Sequence, residues 1–336
     1  MKNLYKILFF NTMIIGTLIT ISSISWLSAW IGLEINLLSI MPLMKTHNNK
    51  FSTEAAIKYF IIQAMASTML LFSITLFMNT KYTNIEFTTL SSLMINSAIL
   101  MKMGAAPFHF WFPEVTSGLN WNMNYIIMTW QKIAPMILLL YSNQTPIFMT
   151  IIIIFSSMIS SIQGMNQSCM RKILAYSSIN HVSWMISALL TSFSLWMFYF
   201  LIYCLINLNI IIILNKMNIY FITQMNLIMN NNKLLKFFYM MNFYSLGGLP
   251  PFLGFLPKWL IINSLINNDF YLLTLILIIF TLLSMYMYMR LTFSSLTMNS
   301  EESIMKNFIS NNFFMNFMNF ISLTGMFFCS MMSFMY

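Results

Sequence analysis

Apolar runs of about 20 residues, the length that spans a hydrocarbon core, recur from one end of the chain to the other. Short polar connectors such as "KTHNNK" and "NQSCMRK" separate them. Hydropathy and turn signals predict eleven helices, at about 4–22, 25–44, 54–78, 87–106, 121–142, 146–163, 172–191, 194–215, 236–265, 270–292 and 312–334. The longest connectors, roughly 216–235 and 293–311, are too small to fold alone. The pattern predicts an all-α polytopic transmembrane bundle, a single transmembrane domain over residues 1–336. The opening "MKNLYKILFFNTMIIGTLITISS" has the basic start and apolar run of a signal peptide. A second apolar span follows at once and no A-x-A cleavage pattern is present, so it reads as the first transmembrane helix.

Composition removes the soluble alternative. The chain is 59% hydrophobic and 7% charged, where soluble proteins carry roughly a quarter charged residues. No soluble fold of this length hides that much apolar surface. Charge then fixes topology. With connectors alternating between two sides, the N-terminal side holds Lys2, Lys6, Lys45, Lys50, Arg171, Lys172, Lys216, Lys233, Lys236, Arg290 and Lys306, and the other side only Lys81. A miscounted helix would scramble that asymmetry, and the basic side is the predicted negative-inside compartment. The net charge of +9 is therefore topological information, not a nucleic-acid footprint.

Four basic residues, Lys58, Lys102, Lys132 and Lys258, fall inside predicted spans. Glu34 in "AWIGLEINLLSIM" and His181 in "SSINHVSWMIS" lie near the middle of theirs. An ionisable group at the bilayer centre costs about 2.5–3.5 kcal/mol on insertion scales, so such groups usually face a bundle interior or a hydrated path. Lys58 has a plainer reading as an i,i+4 partner of Glu54. Lys258 has one as a snorkelling lysine, and His181 as a satisfied core histidine. Glu34, Lys102 and Lys132 lie too deep for snorkelling. His47 and His109 lie in or beside connectors and are expected to carry no chemistry.

The chain also repeats itself. "GAAPFHFWFP" at 104–113 resembles "GLPPFLGFLP" at 248–257. At an offset of 144, Gly104 matches Gly248, Pro107 matches Pro251, Phe108 matches Phe252 and Pro113 matches Pro257. Proline interrupts a helix, and broken helices at corresponding places of two halves point to a transporter's ion site. Both helices 4 and 9 are thus expected to break within the membrane, near 104–107 and 248–252. No G-x-G-x-x-G after a strand, P-loop, C-x-x-C or iron–sulfur spacing, or pair of deep histidines for haem is present. No cofactor and no metal is expected on this chain.

"GLEINLLSIMPLM", "STEAAIKYFIIQAMAST", "KMGAAPFHFWFPEV", "TWQKIAPM", "SSINHVSWM" and "SLGGLPPFLGFLPKW" together resemble the antiporter-like core membrane subunits of mitochondrial respiratory complex I, the proton-translocating NADH:ubiquinone reductase. The resemblance runs from the first helix to about residue 290. It implies two inverted five-helix repeats, about 25–163 and 172–334, related by an approximate two-fold axis in the membrane plane. It implies a polar axis for protons as well. Glu34 and Lys58 resemble its terminal glutamate–lysine pair, Lys102 the lysine ahead of the first break, Lys132 the connecting lysine, His181 the axis histidine and Lys258 the lysine at the second break. NADH, FMN, iron–sulfur clusters and ubiquinone would be held elsewhere in the complex. The partners would be other membrane-arm subunits, membrane lipids and protons, without nucleic acid. The location would be the mitochondrial inner membrane, with the N-terminus on the matrix side. A stand-alone cation/proton antiporter of related fold is the alternative, and a structural scaffold with helix-locking charges is a third reading.

Overall fold

The structure, a computed structural model, describes residues 4–46, 49–79, 85–142, 145–224, 233–250 and 252–297, with residues 317, 319, 320, 322 and 325. Among them are α1 (Leu4–Ile21), α2 (Trp26–Met44), α3 (Lys50–Asn79), α4 (Ile85–Met103), α5 (Trp111–Gly118), α6 (Trp121–Met128) and α7 (Trp130–Tyr141). They continue as α8 (Pro146–Met165), α9 (Met170–Thr191), α10 (Phe193–Met217), α11 (Lys233–Gly247), α12 (Phe255–Asn267) and α13 (Tyr271–Thr297). No strand occurs among the described residues beyond a lone bridge between Cys169 and Phe221. The eleventh predicted span, 312–334, falls almost wholly outside the described residues, as do His47 and Lys81.

Seven of these helices are long and apolar enough to cross a membrane: α1, α2, α3, α8, α9, α10 and α13. The predicted spans missing from that set are 87–106, 121–142 and 236–265, and all three are interrupted. The first ends at Met103, and seven residues separate it from the short helix α5, which begins at Trp111. The second divides into α6 and α7, and the third into α11 and α12. The residues after 106, expected to form a connector, instead fold into α5, whose Trp111, Phe112, Pro113, Val115, Thr116 and Gly118 are buried. Proline and glycine mark the segment as a loop, yet Pro113 sits in the first turn, where its missing N–H is tolerated.

The residues fall into two compact units, Met1–Ile152 and Ile153–Tyr336. In the first, α1 and α2 approach backbone to backbone at two glycines. A Cβ on Gly16 would stand 2.9 Å from the Asn36 nitrogen, and one on Gly32 would stand 2.9 Å from the Gly16 oxygen. Small residues permit such close contact where no hydrophobic effect drives helices together. Helix α3 packs on α2, α4 and α5, and α7 packs on α1, α4 and α6. Asn96 ties α4 to the end of α7, donating to the Ser142 carbonyl at 3.1 Å and to Thr145 Oγ1 at 3.0 Å.

In the second unit α9 is enclosed by α10, α12 and α13, and its residues from Ser177 to Leu189 are all buried. Its serines remain compatible with that setting because their hydroxyls fold back on the helix. Ser177 donates to Leu174 O and Ser178 to Ala175 O, each at 2.7 Å, a local solution to the lack of water. Asn180 reaches Ser284 on α13 at 3.0 Å. Arg290 donates to Met165 O at 2.5 Å and Gln167 O at 2.8 Å, satisfying carbonyls at the end of α8.

Candidate functional site

The two breaks expected from glycine and proline share one backbone construction. Gly104 has φ 73° and Gly248 φ 81°, a left-handed conformation that glycine adopts without a Cβ penalty. Gly104 N–H bonds Met101 O and Ala105 N–H bonds Leu100 O; Gly248 N–H bonds Ser245 O and Leu249 N–H bonds Tyr244 O. Each is a crossed pair of bonds that terminates a helix at a left-handed residue. Pro107 and Pro250 follow and prevent resumption; Pro251 lies outside the described residues.

Termination leaves carbonyls without helical donors, and the two breaks satisfy them differently. At the first, Trp111 Nε1 donates to Met101 O at 3.2 Å and Gln63 Nε2 to Lys102 O at 3.1 Å. At the second, the Lys258 ammonium itself donates, to Gly247 O at 2.7 Å and Leu246 O at 3.4 Å. At the offset of 144, Leu246 takes the place of Lys102, and Lys258 the place of Glu114.

The third break carries no Gly or Pro. Thr129 has φ −117° and ψ −72° between α6 and α7. Its hydroxyl donates to Tyr125 O at 2.6 Å, and Lys132 N–H bonds Thr129 O at 3.1 Å. Pro135, inside α7, has no N–H to offer the Gln131 carbonyl one turn earlier.

Each break carries one buried lysine. Lys102, Lys132 and Lys258 are 6%, 2% and 7% exposed. Lys102 is the penultimate residue of α4, Lys132 the third of α7 and Lys258 the fourth of α12. Lys132 Nζ stands 5.4 Å from the Phe112 ring centre and Lys258 Nζ 6.0 Å from that of Trp184. Ring faces attract a cation electrostatically. Lys102 differs: among the described residues no hydrogen bond or ion pair holds its ammonium. It lines a cavity of about 20 Å³ with Leu33, Asn36, Tyr59, Gln63 and Gln131, room for one water. Glu34 acts on it electrostatically, and Glu34 Oε1 is buried with no hydrogen-bond partner among the described residues.

The other candidates separate. Lys58 bonds Glu54 and Glu114, both at 2.9 Å, with side chains 40%, 61% and 57% exposed. Its carboxylate partners are therefore these two and not Glu34. His181 is buried, and its Nδ1 lies 2.7 Å from the Tyr199 hydroxyl. His109 is also buried, with Nδ1 3.3 Å from Pro107 O and its ring against Phe110. Sequence patterns did not single out Glu114, Gln63, Gln131, Asn36 or Tyr199. They are neutral or connector residues whose partners lie on other helices, so no spacing rule reveals them.

The seating of Lys258 leads to a testable expectation. A Cβ on Gly248 would meet Lys258 Cδ at 2.9 Å and Nζ at 3.0 Å, at a positive φ. Gly248→Ala is expected to destabilise the second unit by about 1–3 kcal/mol. The readout is a lower thermal midpoint in detergent, against an unchanged midpoint for Ala at an ordinary surface position.

A family model described as NADH:quinone oxidoreductase/Mrp antiporter, TM, matches residues 23–284. Among curated relatives, NADH-ubiquinone oxidoreductase chain 2 of Locusta migratoria is 46% identical over 303 residues, covering 90% of this chain and 88% of the relative. That of Anopheles gambiae is 44% identical over 338 residues, with 98% of each chain covered. That of Loxodonta africana is 41% identical over 311 residues, covering 89% of this chain and 88% of the relative. The fold is similar to a chain of respiratory complex I from Thermus thermophilus with bound aureothin. That match has a TM-score of 0.84 at 22% identity and covers 96% of this chain and 78% of that one. It is also similar to a chain of the Mrp complex from a Dietzia species, with a TM-score of 0.74 at 13% identity, covering 83% and 58%.

Proposed function

The chain belongs to the NADH-ubiquinone oxidoreductase chain 2 family, and from that premise we propose that it is a core membrane-arm subunit of a proton-pumping NADH:ubiquinone oxidoreductase. It contributes a proton path through buried Glu34, Lys102, Lys132, His181 and Lys258, with Lys58 at the rim in its cluster with Glu54 and Glu114. One observation carries this reading. The three spans too interrupted or too polar to cross a membrane as single apolar helices each hold one buried lysine within a turn of the break.

Breaks and lysines suit proton movement for a physical reason. A continuous helix uses its own polar backbone groups and surrounds a side chain with apolar turns. An interruption frees carbonyls, makes room for water and gives an ammonium partners that lipid cannot supply. Burial disfavours a charged amine and a nearby carboxylate favours it, so a change in the partner's charge moves a proton on or off. The repeats span about 25–163 and 172–334. The redox chemistry, with NADH, FMN, iron–sulfur clusters and ubiquinone, resides on other subunits. The chain is multi-pass in the mitochondrial inner membrane, its N-terminus on the basic, matrix side.

The fold shared with the Mrp chain gives the rival, a stand-alone cation/proton antiporter, its one specific support. Native gel migration with mass spectrometry of the intact assembly separates the two. The expected result is recovery of this chain only in an assembly with many other subunits. Recovery of the chain alone, exchanging cations for protons in liposomes, would establish the rival.

A further inference from the structure

We propose that the side-chain amides of Asn36 and Gln131 form a gate between the Lys102 cavity and Lys132. The proposal rests on the proton path just described and adds two positioning residues to it. Asn36 Nδ2 donates to Gln131 Oε1 and Gln131 Nε2 donates to Asn36 Oδ1, both at 2.9 Å. Each amide therefore both gives and receives, and the pair clamps α2 to α7.

Its position gives the clamp a consequence. Asn36 lies two residues after Glu34, and Gln131 immediately precedes Lys132. Both amides line the cavity of about 20 Å³ that Lys102 also lines, while Lys132 does not line it. Neighbouring residues on a helix point about 100° apart, and Lys132 turns instead toward Phe112 on α5. On the α7 side the cavity wall consists of Gln131 and Pro135. Water next to Lys102 thus meets the amide pair on its way to the next lysine.

A neutral amide has no titratable proton to pass on near neutral pH, so the pair does not relay protons itself. When its two internal bonds are made, one N–H and one carbonyl lone pair of each amide are committed to the clamp and hold both side chains in a fixed orientation. Opening them releases those two donors and two acceptor positions to water and frees both side chains to turn toward Lys132. The flanking backbone accommodates this motion. Gln131 sits two residues past the Thr129 break, and its own carbonyl lacks the helical donor that Pro135 cannot supply. The first turn of α7 is thereby held less tightly than an uninterrupted helix.

The test is exchange of the two side chains. Gln131→Asn shortens one arm so the amides no longer meet, yet keeps a polar residue and disturbs folding little. In the assembled complex it is expected to lower proton pumping coupled to NADH oxidation about tenfold, the size of a lost pairwise interaction. The double variant Asn36→Gln with Gln131→Asn restores the combined reach and is expected to recover pumping to near the starting level. Loss in the single variant with recovery in the double supports the gate when Gln131→Leu, which keeps the volume and removes the amide, also loses pumping; normal pumping in Gln131→Leu would reduce the pair to packing and overturn the gate. A single variant that pumps normally, or a double variant no better than the single, overturns it. Lys132→Met distinguishes the underlying reading. If that variant also pumps normally in assembled complex, the proton path fails; if it alone is impaired, the path stands and the gate does not.

Discussion

In the assembled complex, Lys102→Met is expected to lower proton pumping by roughly two orders of magnitude, the lower range for loss of a positioned proton-transfer group. Assembly should be nearly unchanged. Methionine matches the length and apolar body of the lysine stem. The lost ammonium has no hydrogen bond or ion pair to forfeit among the described residues, because Gln63 is bonded to the Lys102 backbone carbonyl and not to its side chain. The break at Gly104 is likewise built from backbone bonds and the Trp111 indole, none of which the substitution touches. Lys102→Arg should impair pumping as well, because a guanidinium does not release its proton. Normal pumping in assembled Lys102→Met complex would sink the claim.

Glu34 extends that prediction into a coupling. Glu34→Gln preserves size and removes the charge that acts on Lys102. If the two form one switch, the double variant with Lys102→Met should be little worse than Lys102→Met alone. Fully additive losses would separate the two residues.

The outline of the fold was readable in the chain because bilayer thickness dictates the length of an apolar helix, and among the described residues seven uninterrupted spans obey it. The breaks at Gly104 and Gly248 were readable because a left-handed helix end requires glycine and the following prolines stop the helix. The break at Thr129 was not. Pro135 marks a disturbance inside the predicted span 121–142, but the break falls six residues earlier, at a threonine whose hydroxyl is bonded to its own helix, and nothing local in the sequence places it there. Helix α5 was hidden by Pro113 and the proline and glycine just ahead of it, since tolerance of a proline in a first turn depends on where the helix begins. The lysines stood out by burial cost alone. The polar residues around the candidates did not: Gln63, Asn36 and Gln131 beside Lys102, and Tyr199 at His181, are ordinary polar residues until tertiary packing brings α2, α3 and α7, or α9 and α10, together. Lys58 shows the same limit. Its partner Glu54 follows from helical spacing, but Glu114 lies 56 positions away and reaches it only because α5 packs on α3.

Lys258 contrasts with Lys102 and yields the second large effect. Its ammonium is the donor for Leu246 O and Gly247 O, carbonyls released by the helix end at Gly248. Lys258→Met removes that donor and leaves both without it in a buried site, at about 1–3 kcal/mol for each carbonyl left unsatisfied. The same substitution that is expected to be structurally silent at residue 102 should here lower both pumping and stability. The stability loss is readable as reduced yield and a lower thermal midpoint of the assembled complex. Lys258→Arg separates the two roles. A guanidinium retains donors for the carbonyls, so assembly should recover in part, while its permanent charge keeps pumping low. An arginine variant that restores pumping along with assembly would show that Lys258 serves only to tie the broken helix together. If Lys258→Met neither lowers the midpoint nor the yield, the carbonyl contacts contribute nothing, and the account of the second break is wrong.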